Sequence, residues 1–190
     1  MQPSWLTEVR VASVRETAIA AERAGGAVLA GPMDISPVGR LVVIADPSGA
    51  VINGFEPTAR RGAQRVNERG AWAMSILYPH GASNFYNEVF GWTSEPYGPL
   101  TLFRLDGFVG GEPWQPVPRD VVALMVRSDE GEAHWGVDLW IADIDRAVRV
   151  AEERGGRVIS PVESAPPFRR ARIADSAGAV LTLSQLVVPG

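Results

Sequence analysis

The chain has 190 residues, 46% of them apolar and 21% charged, enough for a packed core in one ordinary domain or one and a half small ones. All 18 cations are arginine against 22 carboxylates, a net charge of −4 with no basic block, which argues against nucleic-acid binding. With no cysteine and no lysine, thiolate chemistry, disulfides and Schiff-base catalysis are excluded.

Near the N-terminus, Thr7, Val9 and Val11 alternate with Leu6, Glu8 and Arg10, which predicts a half-buried strand. Ser13 and Glu16 form a capping box that opens an Ala-rich helix running to about Ala24, and Gly25-Gly26 ends it. Pro32 is assigned to a loop, residues 41–45 to a strand, Asp46-Pro47-Ser48-Gly49 to a turn and residues 50–55 to a closing strand. Residues 58–69 (TARRGAQRVNER) form a polar connector, with Arg60, Arg61, Arg65 and Arg69 read as solvated.

The next stretch predicts a strand over 71–77 and a short amphipathic helix over 81–90, stopped by Gly91. Residues 100–105 and 108–114 then flank Asp106-Gly107, a strong hairpin signal, and residues 116–132 are a longer join. From Trp135 the first pattern returns. Trp5 recurs at Trp135, Gly25-Gly26 at Gly155-Gly156, Pro32 at Pro161, and Asp46 to Ala50 at Asp175 to Ala179. Val137, Leu139 and Ile141 make the strand's helix-side face and Asp143 the helix cap. The fold class is therefore α+β, with βαβββ used three times in tandem.

The motifs A-E-R-A-G-G with A-D-P-S-G-A-V, N-F-Y-N-E-V-F-G-W, and A-E-E-R-G-G with A-D-S-A-G-A-V carry a family likeness in their order and spacing. Together they resemble the glyoxalase/bleomycin-resistance/dioxygenase superfamily, the vicinal oxygen chelate proteins. V-N-E-R-G-A-W is similar to its two-domain, hydroxylase-like branch, which has four copies where this chain has three. The resemblance implies an orphan βαβββ module over 1–57, a linker over 58–69, and a complete domain over 70–190 with a cupped mixed sheet. A lone module leaves a sheet edge and an apolar face open, so either a homodimer or an intertwined arrangement covers it, or the chain is trimmed at its start.

In that superfamily His, Gln or Glu on the first and last strands hold a divalent metal. The matching positions here are Leu6, Ala71, Gly136, Asn53 and Thr182, none a strong ligand. Glu112 is the one carboxylate near such a position; His134 and His80 read as a loop histidine and a cap neighbour. A metal-independent protein is expected. No cofactor motif such as GxGxxG is present, and the lack of a signal-peptide pattern or a long apolar run implies a cytoplasmic protein with no membrane partner.

Alternation puts Gly136, Asp138 and Trp140 on the cup side, Gly136 leaving space where a ligand would stand. Asp138 is then either a general base or hydrogen-bond anchor with a raised pKa, or a structural carboxylate paired with Arg104 or Arg172. Thr182 and Ser184 join it by parity, as do Ala73 and Ser75, while Trp72 packs on the helix side. Trp140 reads as core or as a stacking surface, and Tyr97 and Trp114 as rim aromatics; Glu8 and Arg10 hold the equivalent face of the first copy. The expected function is binding of a small organic molecule, aromatic or polyketide-like, in the cup. The alternatives are a hydroxylase-like or other lyase/isomerase-type enzyme with Asp138 as its base, a bleomycin-resistance-type sequestering protein, and a non-catalytic scaffold.

Overall fold

The structure, a computed structural model, describes residues 3–58, 72–78, 83–110, 117–126 and 131–187. The first module runs β1 (Glu8–Arg10), α1 (Val14–Arg23), β2 (Ala27–Asp34), β3 (Gly39–Ala45) and β4 (Val51–Pro57). Ser13, in extended conformation, caps α1 by accepting the Glu16 amide. The Val14 amide is taken by Glu56 Oε2 at 3.0 Å, so the last strand of the module completes the cap. The third module repeats the device: Asp143 accepts the Arg146 amide at 2.9 Å, and Gln185 Oε1 accepts the Ile144 amide at 3.0 Å.

Pro32 lies within β2 rather than in a loop. The sheet order β1-β4-β3-β2 puts β2 at an edge, where a missing N–H costs no ladder bond, and the register slips between Ala30 and Met33. Pro161 has the same place in β10 (Arg157–Ala165), also an edge strand.

The second module runs β5 (Trp72–Tyr78), α2 (Ser83–Phe90), β6 (Thr93–Tyr97), β7 (Leu100–Arg104) and β8 (Val121–Val126). Here the predicted hairpin is corrected. Asp106-Gly107 does form a turn, but Phe108 to Gly110 is not a strand, and β7 pairs with β6 on one side and β8 on the other. The closing strand is V-V-A-L-M-V, inside the segment assigned to a join. Buried on both faces, it has none of the alternation that marks a half-exposed strand.

The third module, β9 (His134–Trp140), α3 (Ile144–Glu153), β10, β11 (Phe168–Ala174) and β12 (Val180–Leu186), joins the second in one mixed sheet, β10-β11-β12-β9-β5-β8-β7-β6. Its centre is the antiparallel pair β5–β9, flanked by the parallel pairs β9–β12 and β5–β8. No helix among the described residues is long and apolar enough to cross a membrane.

On its helix side the first module packs against the second. Val14, Ala18 and Ala21 of α1, with Val42, Ile44 and Ile52 beneath them, share one buried cluster with Phe85 and Tyr86 of α2 and with Leu77, Phe103, Met125 and Trp135. The Phe85 ring lies so close to Gly26 that a Cβ there would sit 2.5 Å from Cε2, so this glycine is the seat of an aromatic from the next module. The buried Thr7 hydroxyl also donates to Ser75 Oγ at 2.9 Å. The second module therefore covers the helix-side face of the first.

Candidate functional site

Residues paired across neighbouring strands share a sheet face, so the register maps the cup directly. One row reads Ser160, Arg172, Thr182, Asp138, Met74 and the next Glu163, Arg170, Ser184, Trp140. On the other side of Asp138 come Gly136, Ile76, Leu124 and Leu102, then His134, Tyr78 and, further on, Val126 with Leu100. The cup is thus two-toned. The half built on β5, β7 and β8 is apolar and closed, with Met74, Ile76, Leu102, Val121 and Leu124 buried in one cluster with Trp140 and Phe168. The half built on β9, β11 and β12 is polar, with Thr182 and Arg170 partly open and Arg172 exposed.

Asp138 forms the floor of the polar half at 1% exposure. Its Oδ2 accepts from Ser184 Oγ at 2.9 Å and lies 3.5 Å from Arg170 Nη2, while Oδ1 has no partner among the described residues. Burial raises its pKa to about 6, against the pull of Arg170 and Ser184 in the other direction. The paired arginine is Arg170 and neither candidate from the sequence, for Arg104 bonds Glu95 and Asp120 at the far edge, and Arg172 carries no ion pair among the described residues. Arg170 is held by three contacts: Nε donates to Ser184 Oγ at 3.2 Å, Nη2 faces Asp138, and the guanidinium lies 5.2 Å from the Phe168 ring centroid.

Other predicted positions are redistributed. Ser75 is not in the cup: a register shift between Trp72 and Met74 turns it to the helix side, opposite Val137 and bonded to Thr7. Gly136 does not leave empty space, because the Tyr78 ring covers it and a Cβ would meet Cε2 at 3.0 Å. Trp140 is buried against Phe168, ring centroids 5.0 Å apart, so it is cup-side core. Tyr97 is half exposed on β6, four strands from Asp138, and the two are not brought together. Glu112, Trp114, His80 and Ala71 lie outside the described residues, as do the Trp72 and Ala73 side chains.

Sequence reasoning missed Arg170 and Tyr78. Tyr78 stacks on His134 at 4.8 Å, and its hydroxyl pKa is raised chiefly by burial and then by Asp138, with Arg170 and Arg172 opposing. The alternation F-R-R-A-R places Phe168, Arg170 and Arg172 on one face, which was the available signal for Arg170. A second concavity, of about 320 Å³, lies on the helix side between the first two modules, lined by Arg10, Val11, Glu16, Phe90, Trp92 and Leu105 among others. It contains none of the cup residues.

Among the described residues, those at the superfamily's ligand positions in the cup do not fit a divalent metal. Gly136 and Thr182 stand at two of the ligand positions, and the nearest carboxylate, Asp138, already has a guanidinium beside it. Among the described residues no group of three His, Cys, Asp or Glu side chains could hold an ion.

Comparison with known proteins agrees with the architecture. Residues 74–184 match the model of the glyoxalase-like domain. The chain is 30% identical over 168 residues to the anthracycline biosynthesis protein DnrV of Streptomyces peucetius, covering 87% of this chain and 59% of DnrV. It is also 30% identical over 196 residues to CFP32 of Mycobacterium tuberculosis (strain CDC 1551 / Oshkosh), covering 96% and 70%. Among solved structures, the 2,3-dioxygenase LapB from Pseudomonas sp. KL28 superposes with a TM-score of 0.55 at 14% identity, covering 96% of this chain and 69% of that one. The catechol dioxygenase BphC gives 0.54 at 13%, covering 94% and 66%. At such identities these two speak for the fold alone. The paired βαβββ units, the two-toned cup and the domain match place the chain in the glyoxalase-like family of the vicinal oxygen chelate superfamily.

Proposed function

We propose that this protein binds a small organic molecule, aromatic or polyketide-like, in the cup of its eight-stranded sheet, without a metal ion. The observation that carries the reading is the open polar half of the cup: Arg170, Arg172 and Thr182 stand over a buried Asp138–Ser184 floor and border an apolar wall. The closed apolar half taken alone would suit a scaffold that has lost its site. The exposed cation at Arg172 and the stacked pair Tyr78–His134 favour a ligand instead. DnrV and DauV, both named for anthracycline biosynthesis, fit a polycyclic aromatic ligand.

A second reading follows from Asp138. A carboxyl with a pKa of about 6 suits a general base in a lyase or isomerase of the hydroxylase-like branch. At 1% exposure it reaches a substrate only if Arg170 swings aside. Asp138→Asn would then abolish turnover and leave binding intact.

The test is titration with a hydroxyanthraquinone, followed by amide and indole NMR shifts. Saturable shifts at Trp140, Arg170 and Thr182 that persist in a metal chelator are expected. Shifts confined to the helix-side concavity, or lost on chelation, overturn the proposal.

A further inference from the structure

The cup's polar half has a charge pattern that its own packing does not neutralise. Arg170 and Arg172 are two positions apart on β11 and share the cup face, so they stand about 7 Å apart and repel. Asp138 answers only Arg170, and it does so from beneath, on the Nη2 side. Nη1 of Arg170 has no partner among the described residues, and the side chain is 34% exposed. Arg172 is exposed, opposite Thr182 and Ser160, and carries neither a hydrogen bond nor an ion pair among the described residues. Glu163 is on the same face, opposite Arg170 on the outer strand β10, but it is exposed and bonds to neither arginine. Beside these cations lies a flat surface: Tyr78 and His134 stack with their planes 17° apart. The Tyr78 hydroxyl is within electrostatic reach of Asp138, Arg170 and Arg172, which ties that surface to the cations.

We propose that Arg170 and Arg172 form an anion-accepting subsite beside the Tyr78–His134 stack, and that the cup selects aromatic acids over their neutral isosteres. This rests on the cup being the binding site. Ser184, Asp138 and Phe168 are positioning residues: they hold the Arg170 guanidinium so that its Nη1 side turns outward, and a fixed fork loses little entropy on meeting a carboxylate. Arg172 supplies the second charge. The aromatic body of the ligand lies against Tyr78 and His134.

The experiment compares 2-naphthoate with 2-naphthamide, two probes of one shape and different charge, on the full chain, by calorimetry and by NMR shifts at Arg170, Thr182 and Tyr78. Naphthoate should bind at least about tenfold more tightly, as charge-assisted hydrogen bonds are stronger than neutral ones. Arg172→Gln, at an exposed position, should remove most of that preference, weakening naphthoate several-fold more than naphthamide. Arg170→Lys keeps the charge but not the fork, and should weaken naphthoate by a smaller factor. Equal binding of acid and amide at the cup would overturn the acid preference and leave the cup reading standing, as would cup binding of the hydroxyanthraquinone with none of naphthoate. If no probe moves a cup resonance, both fall.

Discussion

The Tyr86 hydroxyl donates a 2.7 Å hydrogen bond to Asp46 Oδ2, joining α2 of the second module to the D-P-S-G-A turn of the first. Trp135 Nε1, from the first strand of the third module, donates to the same hydroxyl at 3.1 Å. Three repeats therefore meet at one phenol. Asp46 is buried, yet its Oδ1 is already occupied by the Ser48 and Ala50 amides, so Oδ2 depends on Tyr86. Tyr86→Phe should leave Oδ2 and the indole N–H without this partner and cost about 2 kcal/mol, read from the shift of a urea unfolding midpoint. A change below about 0.5 kcal/mol would show that water replaces the bond.

Gly26→Ala should be far more damaging than Gly49→Ala. At Gly26 the new methyl meets the Ala45 carbonyl and the Phe85 ring, and neither can withdraw from a packed core. At Gly49 nothing lies within 4 Å, so only the positive φ of 94° is strained, costing about 1 kcal/mol. Thermal melts of the two variants side by side measure the difference, and equal losses would mean that the Phe85 contact is soft.

Asp138 makes stability depend on pH in an unusual direction. Its folded-state pKa of about 6 lies above the ordinary carboxyl value, so the folded protein binds the proton more tightly than the unfolded chain. The contribution is fully present below about pH 4 and is lost as pH rises through about 6. The groups that face it are the guanidinium groups of Arg170 and Arg172, Tyr78, whose hydroxyl pKa is raised, and the uncharged Ser184 and Thr182. Between pH 7.5 and pH 5 this residue should add about 1 kcal/mol of stability. Urea midpoints at both values, for wild type and Asp138→Asn, test this: the variant should lack that increment.

The helix caps supplied by closing strands give a paired prediction. Glu56→Ala and Gln185→Ala each free one helix N-terminal amide, at Val14 and Ile144, and each should cost about 1 kcal/mol. Because the pair occupies equivalent places in two copies, similar losses are expected. A neutral Glu56→Ala beside a costly Gln185→Ala would show that Ser13 alone suffices.

Much of this was legible in the sequence, and what was not has physical reasons. The repeated Gly-Gly and Asp-x-x-Gly-Ala signals located two modules because they are local turn chemistry, which a chain must encode in place. Strand β8 escaped because an Asp-Gly turn sat where the hairpin was expected, while the true strand, buried on both faces, showed no alternation. Ser75 was put on the wrong face by one irregularity in register, since parity carries no trace of a bulge. The alternation puts Asp138 on the cup face but does not reveal its arginine: Arg170 and Arg172 share a parity, the register sets Arg172 level with Asp138, and it is the side-chain contacts of Arg170 with Ser184 and Phe168 that turn its guanidinium to Oδ2.

The shared cluster of Tyr86, Phe85 and Trp135 with Ile44 and Ile52 also bears on how the three copies have drifted apart. Duplicated units that touch only at a seam can diverge independently. Here a change in one copy is judged at once by the others: Gly26 must stay small for a ring from the neighbouring copy, whereas its twin Gly156 meets only the backbone of its own module. Differences between the copies therefore record mutual fitting, and grafting one repeat into another's place would fail even though their local motifs look interchangeable.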